Sequence, residues 1–148
     1  VKKMAEEYYG DKFSDAEDFL VHAKIAQERE TYQMCSFMLH QATESYLKTI
    51  PLVYILYGYK EHDLQFLIEK CKPYTLKLAK VFPCDTDEEK RLFDLLRRAY
   101  LEARYNKKNF IVTKADIDAL VPKIELLRYI TEEICNTQIR HYSNLNNC

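Results

Sequence analysis

Tyr32, Cys35, Leu39, Ala42, Tyr46, Ile50 and Val53 recur at spacings of three and four. That period puts all seven on one face of an α-helix and rules out a strand, whose side chains alternate every second residue. A helix over about 32–57 follows, capped by Thr31 and ended by a left-handed residue at Gly58. Pro51 falls inside the run; it removes one hydrogen bond and crowds the carbonyl of Leu47, which predicts a kink in a helix that continues. With only 2 Gly and 4 Pro in 148 residues, little is left for hairpins. Long helices and short connections are the expected solution.

The flanking segments obey the same period. Ser14 and Glu17 are spaced as a capping box opening a helix over about 15–30, with Ala16, Phe19, Leu20, Ala23 and Ala26 as its buried stripe. Residues 1–12 read as a polar tail or short lead-in helix. Asp63 can cap a short helix over 64–71, and Pro73 restarts another short piece ending near Phe82 and Pro83. Thr86 and Glu89 form a second capping box, whose acidic first turn suits the positive end of the next helix. Thr113 and Asp116 open a last long helix. Val112 and Ile117 are placed as its hydrophobic staple, Ile117, Leu120, Ile124, Leu127, Ile130 and Ile134 make its stripe, and a bend is expected at Pro122. Residues 141–148 read as a fraying tail. The fold class is therefore all-α: an antiparallel four- to five-helix up-and-down bundle, with short extra helices between the second and third long ones.

A formal net charge of -1 excludes a broad polyanion-binding surface, so any nucleotide or nucleic-acid contact must come from a local patch. The five cysteines, at 35, 71, 84, 135 and 148, are odd in number and lack CxxC spacing, which fits a reduced, cytoplasmic protein. No segment has the length of a membrane span. Val1 in first place fits a domain excised from a longer chain, and equally tag removal or processing. There is no glycine-rich phosphate loop, no nucleophile elbow and no Cys/His metal spacing, so no metal or resident cofactor is expected.

The basic end of the helix that Thr86 opens, residues 93–109, carries the functional lead. At about 100° per residue, Arg97 and Arg104 fall within about 20° of each other. Phe93 and Tyr100 flank them on one side and Leu101 on the other. Two guanidiniums leaning inward among such neighbours need a carboxylate or an anion. Tyr100 or Tyr105 can supply a stacking face, and Lys107 and Lys108 a local positive field, although a helix C-terminus favours cations in any case. On the second helix His40, Glu44 and Lys48 form one line. They read either as a solvated polar face or as groups that meet and orient the two arginines across the bundle. The crowding of Tyr54, Tyr57 and Tyr59 suggests a subunit interface.

The run Phe37-Met-Leu-His-Gln-Ala-Thr-Glu44, continuing Ser-Tyr-Leu-Lys-Thr-Ile50, resembles the second-helix signature of HEPN domains, as does Gly58-Tyr-Lys-Glu-His-Asp-Leu64. The segment from Phe82-Pro83 to Tyr105 is similar to the branch of that family fused to, or encoded beside, a minimal nucleotidyltransferase. The resemblance covers about residues 13–139, which makes 13–140 the HEPN-like domain. It implies a helical bundle that dimerises and binds nucleotides or RNA, with toxin–antitoxin relatives. In many members it also implies metal-independent RNA cleavage by an arginine followed, four to six residues later, by a histidine. Arg104 matches that arginine, but Asn109, Phe110 and Ile111 occupy the histidine positions, and asparagine cannot shuttle a proton at neutral pH. Tyr105 is a loose substitute for the tyrosine that partner nucleotidyltransferases modify in some members.

The expectation is a noncatalytic, homodimeric module that binds a nucleotide or other phosphate-bearing ligand through Arg97, Tyr100, Arg104, Tyr105, Lys107, Lys108, His40 and Glu44. It would act with a nucleotidyltransferase in cis or trans. The alternatives are a degenerate ribonuclease or toxin acting on RNA through Arg104 with Asn109 or His40, and a purely structural dimerisation bundle.

Overall fold

The structure, a computed structural model, describes residues 1–146 and is built from α1 (Lys2–Glu28), α2 (Tyr32–Ile55), α3 (Leu64–Cys71), α4 (Asp87–Tyr105) and α5 (Lys114–Asn146), with a single 3-10 turn at Lys77–Lys80. It is the helical bundle that the periodicity predicts. Helix α2 is the axis: it packs against α1, α3, α4 and α5, and α1 also meets α5. Of its predicted stripe Cys35, Leu39, Ala42, Tyr46, Ile50 and Val53 are inaccessible to solvent, with Leu47 beside them, while Tyr32 in the first turn is only partly buried.

Pro51 stays inside α2. A proline there costs about 3 kcal/mol. Burial of Leu47, Ile50 and Val53, each contributing roughly 1.5–3 kcal/mol, outweighs it. The helix closes earlier than expected. Leu56, not Gly58, takes the left-handed conformation (φ 56°), and its N–H and that of Tyr57 both reach the Pro51 carbonyl. A left-handed non-glycine costs about 1–2 kcal/mol. Here the Leu56 side chain packs against the core, which offsets the strain.

The first helix starts well before Ser14, and residues 1–12 are its first turns rather than a separate tail or lead-in. Ala5 and Phe13 are buried, and Tyr9 stacks on Phe13 at 4.9 Å, so the amphipathic face extends upstream. Glu17 is consequently mid-helix. Its carboxylate accepts from the Tyr46 hydroxyl of α2 and from Arg128 of α5, tying three helices together.

At the other end, residues 141–146, expected to fray, continue α5. Tyr142 donates to the carbonyls of Val53 and Tyr54, which anchors that last turn to α2. Pro122 also lies within α5. Cys148, one of the five cysteines, lies outside the described residues. The four described cysteines are unpaired thiols.

The connections behave as their chemistry dictates. Asp63 accepts from the backbone N–H groups of Gln65 and Phe66, capping α3. Thr86 and Glu89 form the reciprocal capping box of α4, and Thr113 and Asp116 exchange the same pair of bonds before α5. Among the described residues no helix is long and apolar enough to cross a membrane.

Candidate functional site

Helix α4 lies on α2 through Leu92, Phe93, Leu95, Leu96, Ala99 and Ala103. The last two are small, buried residues in the C-terminal half of α4. Arg97 and Arg104 border that buried face and do not enter it. Arg97, expected to lean inward, is exposed, with an ion pair to Asp63 at 3.5 Å and the Phe93 ring at 5.9 Å.

Arg104 is half-buried. Its Nε and Nη2 donate to the Tyr100 carbonyl at 2.9 and 2.6 Å, and its guanidinium lies over Phe37, Tyr100 and Tyr105 at 4.8, 4.7 and 5.0 Å. Among the described residues no carboxylate lies within ion-pair distance of it. The two arginines thus occupy different surroundings, although the wheel puts them side by side.

The polar line of α2 is not solvated. His40 is 1%, Glu44 6% and Lys48 7% exposed. The α2–α3 connection and α4 cover it, and the charges are satisfied internally. Glu44 accepts from Lys48 Nζ at 3.1 Å and from His62 Nδ1 at 2.8 Å. Neither His40 nor Glu44 holds an arginine; His40 Nδ1 meets Gln41 Oε1 at 3.2 Å, and Glu44 finds His62, a residue that spacing did not single out.

The His62 ring stacks on Tyr100 with centroids 4.6 Å apart and planes 17° apart. His40 meets the same tyrosine at 5.1 Å. Burial holds the His40 imidazole below its ordinary pKa, with Glu44 pulling the other way. Tyr100 is therefore the centre of the site: its ring is met by the two histidines and also by Arg104 and Phe37.

Two concave or charged regions flank Tyr100. One is an open cleft of about 450 Å³ between the α2–α3 connection and α4, whose lining includes His62, Asp63, Asp94, Arg97, Arg98 and Glu102. Arg98 bridges Asp94 at 2.9 Å and Glu102 at 2.8 Å, and Arg97 pairs with Asp63. With His62 neutral the cleft carries three carboxylates against two guanidiniums.

The other region is the end of α4. Tyr105 is 76% exposed, and Lys107 and Lys108 are exposed without an ion-pair partner among the described residues. This end holds three uncompensated cations counting Arg104. Its loop is fixed by Gln33, whose amide donates to the carbonyls of Lys107 and Phe110 at 2.7 and 2.6 Å. Asn109 is exposed and donates from its side-chain amide to Asn106 Oδ1 at 3.2 Å, whereas Phe110 is enclosed and Ile111 is 71% exposed. No group of three His, Cys, Asp or Glu residues able to hold a metal occurs among the described residues.

The HEPN domain profile matches residues 9–134. The chain belongs to the HEPN domain family. Among solved structures, this HEPN chain is similar to TT1696 from Thermus thermophilus, with a TM-score of 0.64, 17% identity, and coverage of 85% of this chain and 97% of that one. At that identity the likeness concerns the fold. No match is found among curated proteins.

The eight residues expected to form one HEPN ligand site thus divide. Arg104, Tyr105, Lys107 and Lys108 lie at the α4 end, Arg97 in the cleft, and Tyr100 between them. Glu44 and His40 lie beneath, as buried supports of His62 and Tyr100. The missed residues are His62, Asp63, Phe37 and Gln33. A signal for two of them existed in the segment Gly58-Tyr-Lys-Glu-His-Asp-Leu64, since a helix-capping aspartate fixes the position of the histidine before it.

Proposed function

We propose that this HEPN domain is a noncatalytic module that binds the phosphate of a nucleotide at the α4 end, acting as a dimer with a nucleotidyltransferase domain in cis or trans. The observation that carries the reading is the state of Arg104. Its guanidinium is pre-oriented by the Tyr100 carbonyl and three aromatic rings, has no carboxylate partner among the described residues, and stands beside Lys107 and Lys108. A planar fork with an unused edge suits a phosphate oxygen, and the aromatic stack limits the entropy lost on binding. Tyr105, largely exposed, adds a stacking surface.

Asn109 at the histidine position supports binding without cleavage, because its amide neither accepts nor releases a proton in the working range. The test is calorimetric titration of ATP into wild type and Arg104→Ala. Loss of a charge-assisted hydrogen bond of about 1.5–3 kcal/mol predicts affinity weakened about tenfold to a hundredfold. Absence of saturable binding to the wild type would remove the phosphate site.

A further inference from the structure

We propose that the cleft between the α2–α3 connection and α4 is a nucleobase pocket that selects the amine-bearing edge of adenine or cytosine, with His62 as its specificity-determining acceptor. The proposal rests on the phosphate reading above and adds what the other end of the ligand meets.

The reasoning starts at Glu44. A carboxylate only accepts hydrogen bonds, so the His62 Nδ1 at 2.8 Å must donate to it. In the neutral imidazole this leaves Nε2 bare, an acceptor. The tautomer follows from the bonding partner, and that partner is itself fixed. Glu44 is 6% exposed and held by Lys48. Stacking on Tyr100 at 4.6 Å fixes the ring plane as well. Nε2 has no partner among the described residues, and the His62 side chain is 49% exposed and lines the cleft. A half-exposed histidine pinned from two directions, one of them by a buried carboxylate, is preorganised in a way that a solvated surface histidine is not.

Charge says what the cleft takes. Asp63, Asp94 and Glu102 outnumber Arg97 and Arg98, so a phosphate is disfavoured here, in contrast to the α4 end. Hydrogen-bond donors are favoured. Adenine and cytosine present an amine beside a bare ring nitrogen. The amine can give one proton to His62 Nε2 and face the carboxylates with the other, while Arg97 donates to the ring nitrogen. Guanine at O6 and N1, and uracil at O4 and N3, present the reverse, a carbonyl beside a ring N–H; the guanine amine lies beyond that N–H, toward the sugar edge. Their carbonyl would meet the Nε2 lone pair, and their N–H would meet Arg97. Leu101, 57% exposed, provides apolar surface along the cleft.

Geometry joins the two ends. The His62 ring lies 4.6 Å and the Arg104 guanidinium 4.7 Å from the centre of the same Tyr100 ring. Their separation cannot exceed those two lengths laid end to end, which a nucleotide covers from base to phosphate.

The experiment compares AMP, CMP, GMP and UMP by calorimetry at pH 8, with wild type, His62→Phe, Glu44→Gln and Arg104→Ala. For one neutral hydrogen bond gained or forfeited, AMP and CMP should bind about threefold to tenfold more tightly than GMP and UMP. His62→Phe keeps a stacking ring without the acceptor and should cut the preference, leaving only the share that Arg97 and the carboxylates supply. Glu44→Gln permits either tautomer and should shrink the preference from both sides, weakening AMP and CMP and strengthening UMP and GMP. Arg104→Ala should weaken all four alike and preserve their ratio. Equal binding of the four by wild type, or a preference undiminished in His62→Phe, overturns the base pocket and leaves the phosphate site standing. No saturable binding of any of them overturns both.

Discussion

Arg97 and Arg104 stand seven residues apart on one helix, and their different surroundings are set by groups distant in sequence: Asp63 for the first, Phe37 for the second. A helical wheel places a residue on a face but says nothing of what crosses over that face. That is why the pair reads as one inward anion site in the sequence and separates in space. The cysteines illustrate the opposite case, where burial alone decides chemistry. Burial pushes the Cys35 and Cys71 thiols up to about 12, and the Cys135 thiol higher still. Since the thiolate is the nucleophile, these three should resist iodoacetamide at pH 7.5 in the native protein, while exposed Cys84 reacts. Peptide mapping after timed labelling checks this; alkylation of Cys35 at the rate of Cys84 would contradict the enclosed core. The placement of Cys35 on a buried face was readable from spacing. The exposure of Cys84 was not, because it lies in an irregular connection without a period.

At the scale of elements, two sequences of the same form have opposite fates. Thr86 and Glu89 make both bonds of a capping box and start α4, whereas Ser14 and Glu17 lie inside α1. A capping box competes with continuation of the helix, and the residues before Ser14 favour continuation: Ala5 and Phe13 extend the buried face. The stretch before Thr86 is interrupted by Pro83, which separates the buried Leu78, Val81 and Phe82 from α4, so the box wins. Removing the cap by Thr86→Ala should cost about 1 kcal/mol in urea unfolding, within the usual range for such caps. It should leave the far end of α4, and hence nucleotide affinity, unchanged. If affinity falls together with stability, the helix does not hold its C-terminal site independently of its start. The α3 cap, the α4 box and the stripe of α2 were all legible because their causes are local. The left-handed residue at Leu56 was not, since its strain is offset by packing against the core.

For the molecule as a whole, α2 is wrapped on its polar as well as its apolar side. Burying His40 makes stability depend on pH. His40 is buried beside Gln41, Glu44, the His62 backbone and Tyr100, and its pKa is lowered from 6.5 by that burial. The unfolded chain therefore takes up this proton at a higher pH than the folded chain does. The stability His40 allows is fully present above 6.5 and is lost as pH falls through the lower folded value. One such proton contributes a slope of at most about 1.4 kcal/mol per pH unit. Urea midpoints measured between pH 7.5 and 5 should fall in wild type and fall less steeply in His40→Gln; equal slopes would remove His40 as the cause. No wheel or motif reveals this, because the line His40–Glu44–Lys48 has the pattern of a solvated face and is covered only when α4 and the α2–α3 connection close over it.

The amide of Gln33 has a quieter effect. It clasps the two carbonyls that shape the turn carrying Lys107 and Lys108. A neutral amide is indifferent to protons and nearly so to ionic strength. Added salt should therefore dim the pull of those lysines on an anion while leaving their mounting rigid, so the attraction can be tuned from outside like a current through a fixed coil.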